Sequence, residues 1–221
     1  MIALSGMMKN WERKEKRSSI SKIASSVKKP EPLKERISFT IYKLKEQESR
    51  LDQAYQRMQN HYNQLFRKCT DAVVSKDSIR ASMYANECAE IKKMIQTILR
   101  SQYAIEHVAI RLETVEEFGD IMVEMSPVTA VINTIRGPLA GVLPEVSNKL
   151  GEVGDTLNDL VMESGGATST SWNAMSSGEE SEKILADANI IAEQKIKERF
   201  PTMPDVSLLG MEKISSNSRT A

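Results

Sequence analysis

With 221 residues, only 5% aromatic side chains, 10 glycines and 7 prolines, the chain has too few rings and turn formers for a β-sandwich or a compact α/β core, and favours long helices in one or two domains. No apolar run approaches the roughly 18–20 residues of a membrane span. The formal net charge is +0, yet residues 1–100 hold 21 Lys+Arg against 11 Asp+Glu while residues 101–221 hold 9 against 19. That split implies a basic surface for something anionic, and an acidic half able to compete for it.

Residues 1–30 are basic and rich in serine, with Pro30 and Pro32 closing the segment. The start, Met1 to Met8, is apolar but meets Lys9 at once, which is too short and in the wrong order for a secretory signal. Leu4, Met7, Met8 and Trp11 recur at helical spacing, and Lys9, Arg13, Lys14, Lys16, Arg17 and Lys22 lie between or beside the apolar positions. An apolar stripe with a tryptophan and flanking cations suits shallow insertion at an anionic bilayer surface. Nucleic acid is not expected as a partner, because aromatics for base stacking are almost absent among these cations.

A regular pattern then begins. Ile37, Ile41, Leu44, Leu51, Tyr55, Met58, Tyr62, Leu65, Cys69 and Ala72 follow steps of four and three, interrupted at Glu48. This heptad seam predicts a long helix over about 33–75. Ser75-Lys76-Asp77-Ser78 breaks it and supplies capping oxygens. A second seam, Tyr84, Cys88, Ile91, Ile95, Ile98, Ile105, Ala109 and Leu112, runs through Gln102 and predicts a helix over about 78–125, weakened near Gly119. Two striped helices joined by a four-residue turn fold back as an antiparallel hairpin. Phe39, Phe66, Met83, Met94, Leu99, Tyr103 and Val108 fall off the seams and require further partners, from the C-terminal helices or a neighbouring copy. Cys69 and Cys88 fall on the seams, which reads as two buried free thiols in a reducing, cytoplasmic setting.

Ser126-Pro127 reads as the start of a short third helix and Gly137-Pro138 as its stop. A fourth stripe follows at Val146, Leu150, Val153, Leu157 and Leu160; with Gly151 and Gly154 on its outer side it reads as a weak helix lacking a partner. Residues 164–178 read as a flexible linker. A last helix is expected over 179–199, with Ile184, Leu185, Ala188, Ile191, Ala192 and Ile196 on one side. Phe200-Pro201-Thr202-Met203-Pro204 ends it. Alternating apolar residues and prolines favour an extended, preordered segment, suited to docking.

Catalytic signals are poor. There is no phosphate-binding loop, and the Ser-x-x-Lys spacings at Ser19/Lys22, Ser25/Lys28 and Ser26/Lys29 lie in a basic tail without strand context. His61 and His107 sit on different helices with no ligand cluster nearby, so no metal and no cofactor is expected, and the chain is read as a non-enzyme.

The ordered layout resembles the ESCRT-III (charged multivesicular body protein) family, and within it the archaeal cell-division proteins of the CdvB type. The local resemblance is carried by Tyr84-Ala-Asn-Glu-Cys-Ala-Glu-Ile-Lys-Lys93, Arg111-Leu-Glu-Thr114 and Gly137-Pro-Leu-Ala-Gly-Val-Leu-Pro144, within a span of about residues 30–205. It implies an all-α core over 31–163 and a regulatory last helix with a docking tail over 179–221. It further implies a protein that polymerises on membranes, bends or constricts them in division or budding, and is removed by a MIT-domain AAA+ ATPase. Phe200, Pro201, Met203 and Pro204 occupy the places of the family's proline-type MIT-interacting motif. The helical type fits only at Glu182 and Leu185, and fails at Ala188, Asn189 and Ala192. In an opened subunit, Val146, Leu150, Val153, Leu157 and Leu160 would pack on another copy. Only 17 residues follow Pro204, too few for the winged helix of some archaeal members, so the resemblance implies recruitment through another ESCRT-III paralogue. The expected location is the cytoplasmic face of the membrane at the division site. The alternatives are a coiled-coil tether or adaptor, and a BAR-like curvature-binding dimer.

Overall fold

The computed structural model describes residues 32–118, 121–163 and 172–201. They form five helices: α1 Leu33–Val74, α2 Ser78–Phe118, α3 Ile121–Ala140, α4 Pro144–Glu163 and α5 Trp172–Arg199. Among the described residues there is no strand. The N-terminal stripe and cations expected at the membrane lie outside the described residues.

α1 and α2 form the expected antiparallel hairpin, because each can bury its seam only against the other. Every α1 seam position is buried except Met58, and every α2 seam position except Tyr84; both of these still pack on the core. At about 1.5 Å per residue, α1 is roughly 60 Å long. Register is pinned at the base by Lys45–Glu113 (2.6 Å) and by the Ser38 hydroxyl donating to Glu116 (2.6 Å). Near the turn, the Cys69 thiol reaches the Ala81 carbonyl at 3.5 Å. Both cysteines are free and buried, as their seam positions require.

The turn itself is a Schellman closure. The Asp77 N–H donates to the Ala72 carbonyl (2.9 Å) and the Lys76 N–H to that of Val73 (3.0 Å). This places Lys76 in the left-handed region, φ 57°, where glycine is favoured. Asp77 then caps α2, its carboxylate accepting from the Arg80 N–H at 3.1 Å.

Three expectations change. α3 does not start at Ser126-Pro127 or stop at Gly137-Pro138; it runs through both prolines. Proline inside a helix costs about 3 kcal/mol, and the opposing gain is the burial of Val128, Val131, Ile132, Ile135 and Leu139. α4 is not without a partner: it folds back on α3 and also lies on α1, burying all five stripe residues. Its two glycines face inward. A Cβ at Gly151 would come within 2.8 Å of the Arg136 guanidinium, and one at Gly154 within 3.3 Å of Asn133 Oδ1. Small residues here let the two helices approach. Finally, α5 begins at Trp172, ahead of the expected start at Glu179, and so takes up the last part of the segment read as a linker.

The off-seam residues fall into three groups, of which Phe66 and Tyr103 are half-buried against the core. Leu99 and Val108 are buried, with α3 and α5 packed on the sides of α2 that the seam leaves open. Phe39, Met83 and Met94 stay exposed.

Replacing Lys76 with glycine relieves the left-handed strain and is expected to raise stability by about 1 kcal/mol, measured by denaturant unfolding. Glu48, the interruption in the α1 seam, has its carboxyl held above the ordinary 4.5, first by desolvation and then by Glu106. A raised carboxylate pKa means the charged form opposes folding above the ordinary range and costs nothing where both states are protonated. Glu48→Gln is therefore expected to melt higher than the parent at pH 7, with the difference closing as pH falls toward 4.5 and absent well below it.

Candidate functional site

The C-terminal helix closes across the hairpin. Near its start, Glu180 pairs with Arg111 of α2 (3.1 Å). Further along, the Lys195 ammonium lies over the rings of Tyr55 (5.1 Å) and Tyr103 (5.4 Å). At its end, Phe200 meets Tyr62 edge to face with ring centroids 4.8 Å apart. Helix α5 therefore runs antiparallel to α2, from the base toward the tip. Its inner face is Ile184, Leu185, Ala188, Ala192 and Ile196, all buried; Ile191, expected on that face, points away and is 42% exposed.

The charge split has a partial structural counterpart. Two cations of the first hundred residues pair with carboxylates of the later helices, Arg36 with Glu163 and Arg50 with Glu145 (3.8 Å), while Arg111, itself in the acidic half, pairs with Glu180. Each pair is partly exposed, so each contributes only about 0.2–1 kcal/mol. Burying Ile184, Leu185, Ile196 and Phe200 contributes about 1.5–3 kcal/mol apiece before ordering costs. Apolar burial closes the clasp, and the ion pairs set its register.

Phe200 and Pro201, the first two residues of the expected docking segment, are part of this clasp. Phe200 is buried, and the Tyr62 hydroxyl donates to the Pro201 carbonyl at 3.3 Å. Burial pushes the Tyr62 phenol above its usual range, with Cys88 and Cys69 adding to the shift, so the group stays a neutral donor. Met203 and Pro204 lie outside the described residues. Val146, Leu150, Val153, Leu157 and Leu160 are brought together, but inside the chain's own core. Sequence reading places Tyr62 on the seam and misses its second role; the one available signal is a hydroxyl-bearing aromatic at a position where an aliphatic would suffice. Among the described residues no cluster of three or more His, Cys, Asp or Glu could hold a metal ion, and no helix is long and apolar enough to cross a membrane.

A long two-helix rod, a short helical hairpin folded on its base and a final helix clasped along it define an all-α protein of ESCRT-III type. The chain is 41% identical over 186 residues to cell division protein B1 of Sulfolobus acidocaldarius, covering 84% of this chain and 87% of that one. It is 32% identical to cell division protein B of the same organism, over 73% of this chain and 62% of the relative, and 26% identical to cell division protein B3, over 53% and 68%. No family model matches, and no solved structure matches. The chain belongs to the cell division protein B family, as a CdvB-type ESCRT-III paralogue.

Phe200→Ala is expected to weaken the clasp by about 3 kcal/mol. Tyr62→Phe, which keeps the ring and loses the hydroxyl, should cost about 1 kcal/mol. Amide hydrogen exchange is the check: protection over 184–200 should fall in that order of severity while the α1–α2 seam stays protected. Equal loss in both helices of the hairpin would mean that Phe200 supports the whole fold rather than the clasp.

Proposed function

We propose that this chain is a non-enzymatic, polymer-forming subunit that remodels membrane during archaeal cell division, acting with other paralogues of its family on the inner face of the membrane at the division site. In this reading the described structure is the closed subunit. The observation that carries it is the clasp: a helix held across a basic hairpin by one apolar face and a terminal aromatic, in a chain whose relatives are named cell division proteins.

Opening would begin at α5. It would uncover the sides of α2 where Leu99 and Val108 lie, and would free Arg111, now paired with Glu180; Arg36 is held by Glu163 of α4 and would be freed only when α4 moves as well. The N-terminal stripe, Leu4 to Trp11, with Lys9, Arg13, Lys14, Lys16, Arg17 and Lys22, would seat the subunit on anionic lipid. The α4 stripe, Val146 to Leu160, is spent within the subunit when closed, so its use against another copy requires α3 and α4 to separate as well. Removal of subunits is assigned to a MIT-domain AAA+ ATPase docking on Phe200, Pro201, Met203 and Pro204. Phe200 is buried in the closed form, so docking would favour subunits whose clasp has opened.

Negative-stain microscopy with anionic vesicles tests this directly. The chain lacking residues 164–221 is expected to form filaments or coated tubules more readily than the full chain, and Phe200→Ala to lie between them. A truncated protein that stays monomeric and ignores vesicles would refute the proposal. A two-fold dimer unchanged on vesicles would favour the tether instead.

A further inference from the structure

Among the described residues the hairpin is covered unevenly. The α3–α4 turn ends beside Arg50 and α5 ends beside Tyr62. From there α1 and α2 continue to their turn as a two-helix finger, roughly 18 Å from Tyr62 to Val74 at the helical rise.

The end of this finger combines three features. Val74 and Ile79, flanking the turn, are each 82% exposed, and Met83 on the next turn is 51% exposed. Lys76 occupies the left-handed position of the Schellman closure, where glycine would be less strained. A side chain kept in a costly backbone conformation points to a role besides folding. Around them, residues 66–84 carry Arg67, Lys68, Lys76 and Arg80 against Asp71 and Asp77. The Asp77 carboxylate is engaged locally, by the Arg80 N–H (3.1 Å) and guanidinium (3.5 Å). The acidic C-terminal helices end short of this region.

The result is a convex apolar point inside a basic collar. Two or three side chains on a convex tip cannot bury the roughly 800 Å² per partner of a stable protein interface. A lipid surface conforms to such a point. Aliphatic side chains enter the acyl boundary while lysine and arginine reach back to the headgroup phosphates.

We propose that the hairpin tip is a second membrane contact, with Val74 and Ile79 inserting into an anionic bilayer surface and Lys68, Lys76 and Arg80 holding its headgroups. The inference rests on the membrane reading above and adds a location to it. The N-terminal segment enters α1 at the opposite end, about 60 Å away. Contact at both ends lays the rod along the membrane rather than standing it upright, so the rod's length samples the curvature beneath it.

The test uses the full chain with Ile79→Cys carrying an environment-sensitive dye; Cys69 and Cys88 are buried and do not compete for label. Anionic phospholipid vesicles should shift the emission to the blue, and neutral vesicles should not. In unlabelled protein, Lys76→Gly should melt higher than the parent yet bind anionic vesicles about fivefold more weakly. Val74→Ser with Ile79→Ser should weaken binding about tenfold with helicity retained. An unshifted dye on protein that still sediments with vesicles overturns the inference and leaves the membrane reading standing, as does unchanged binding by both variants. Protein that never sediments with vesicles overturns both. A blue shift that grows with protein concentration in the absence of vesicles makes the tip a contact between copies, and also overturns it.

Discussion

Two helices that each repeat an apolar residue every three or four positions can satisfy one another along a single stripe, and no further. Here that stripe runs from Ile37 to Ala72 on α1 and from Ala81 to Val115 on α2. It fixes a rod and determines which surfaces are left over. Along the base the leftover apolar side chains of α2 are numerous enough to draw in α3 and α5. Near the turn they are few and lie at the point. The uneven coverage of the rod therefore follows from where the off-seam residues fall. Among the described residues the base is covered and the tip is left bare.

The charge split suggests a closed state held by attraction between the two halves, and the structure gives that attraction a smaller share. The ion pairs are partly exposed and open to screening. The apolar face of α5 and the Phe200–Tyr62 contact are not. Salt should then act weakly on closure and strongly on any contact with an anionic surface. The two effects separate by mechanism, where composition alone would join them.

Much of the fold is legible because heptads report the nearest partner of each helix. The seams, the free buried thiols and the hairpin all follow from spacing. Periodicity reports nothing about a second partner, so Leu99 and Phe39 look alike in the sequence, and only one is buried. Pro127 and Pro138 look like boundaries because local propensity says so; burial of the α3 stripe overrides them. Gly151 and Gly154 look like outer positions because glycine carries no hydropathy signal, yet they face Arg136 and Asn133. The Tyr62–Phe200 contact joins residues far apart in the chain, beyond the reach of any local rule. Phe200 and Pro201 stand out in the sequence as part of a proline-spaced segment, but the burial of Phe200 against Tyr62 does not.

The closed form also carries a cost in its middle. Gln47 Oε1, Tyr55 Oη, Arg100 Nε and Gln102 Oε1 are buried without a hydrogen-bond partner among the described residues, each costing about 1–3 kcal/mol. Tyr55 lies directly beneath Lys195, whose ammonium faces the ring and leaves the hydroxyl unpaired. When α5 lifts, water can reach that hydroxyl, so part of the apolar loss on opening is returned. Gln47 and Gln102 lie on the hairpin helices and add the same kind of cost. Tyr55 lies against α5, so its unpaired hydroxyl would lower the cost of lifting that helix.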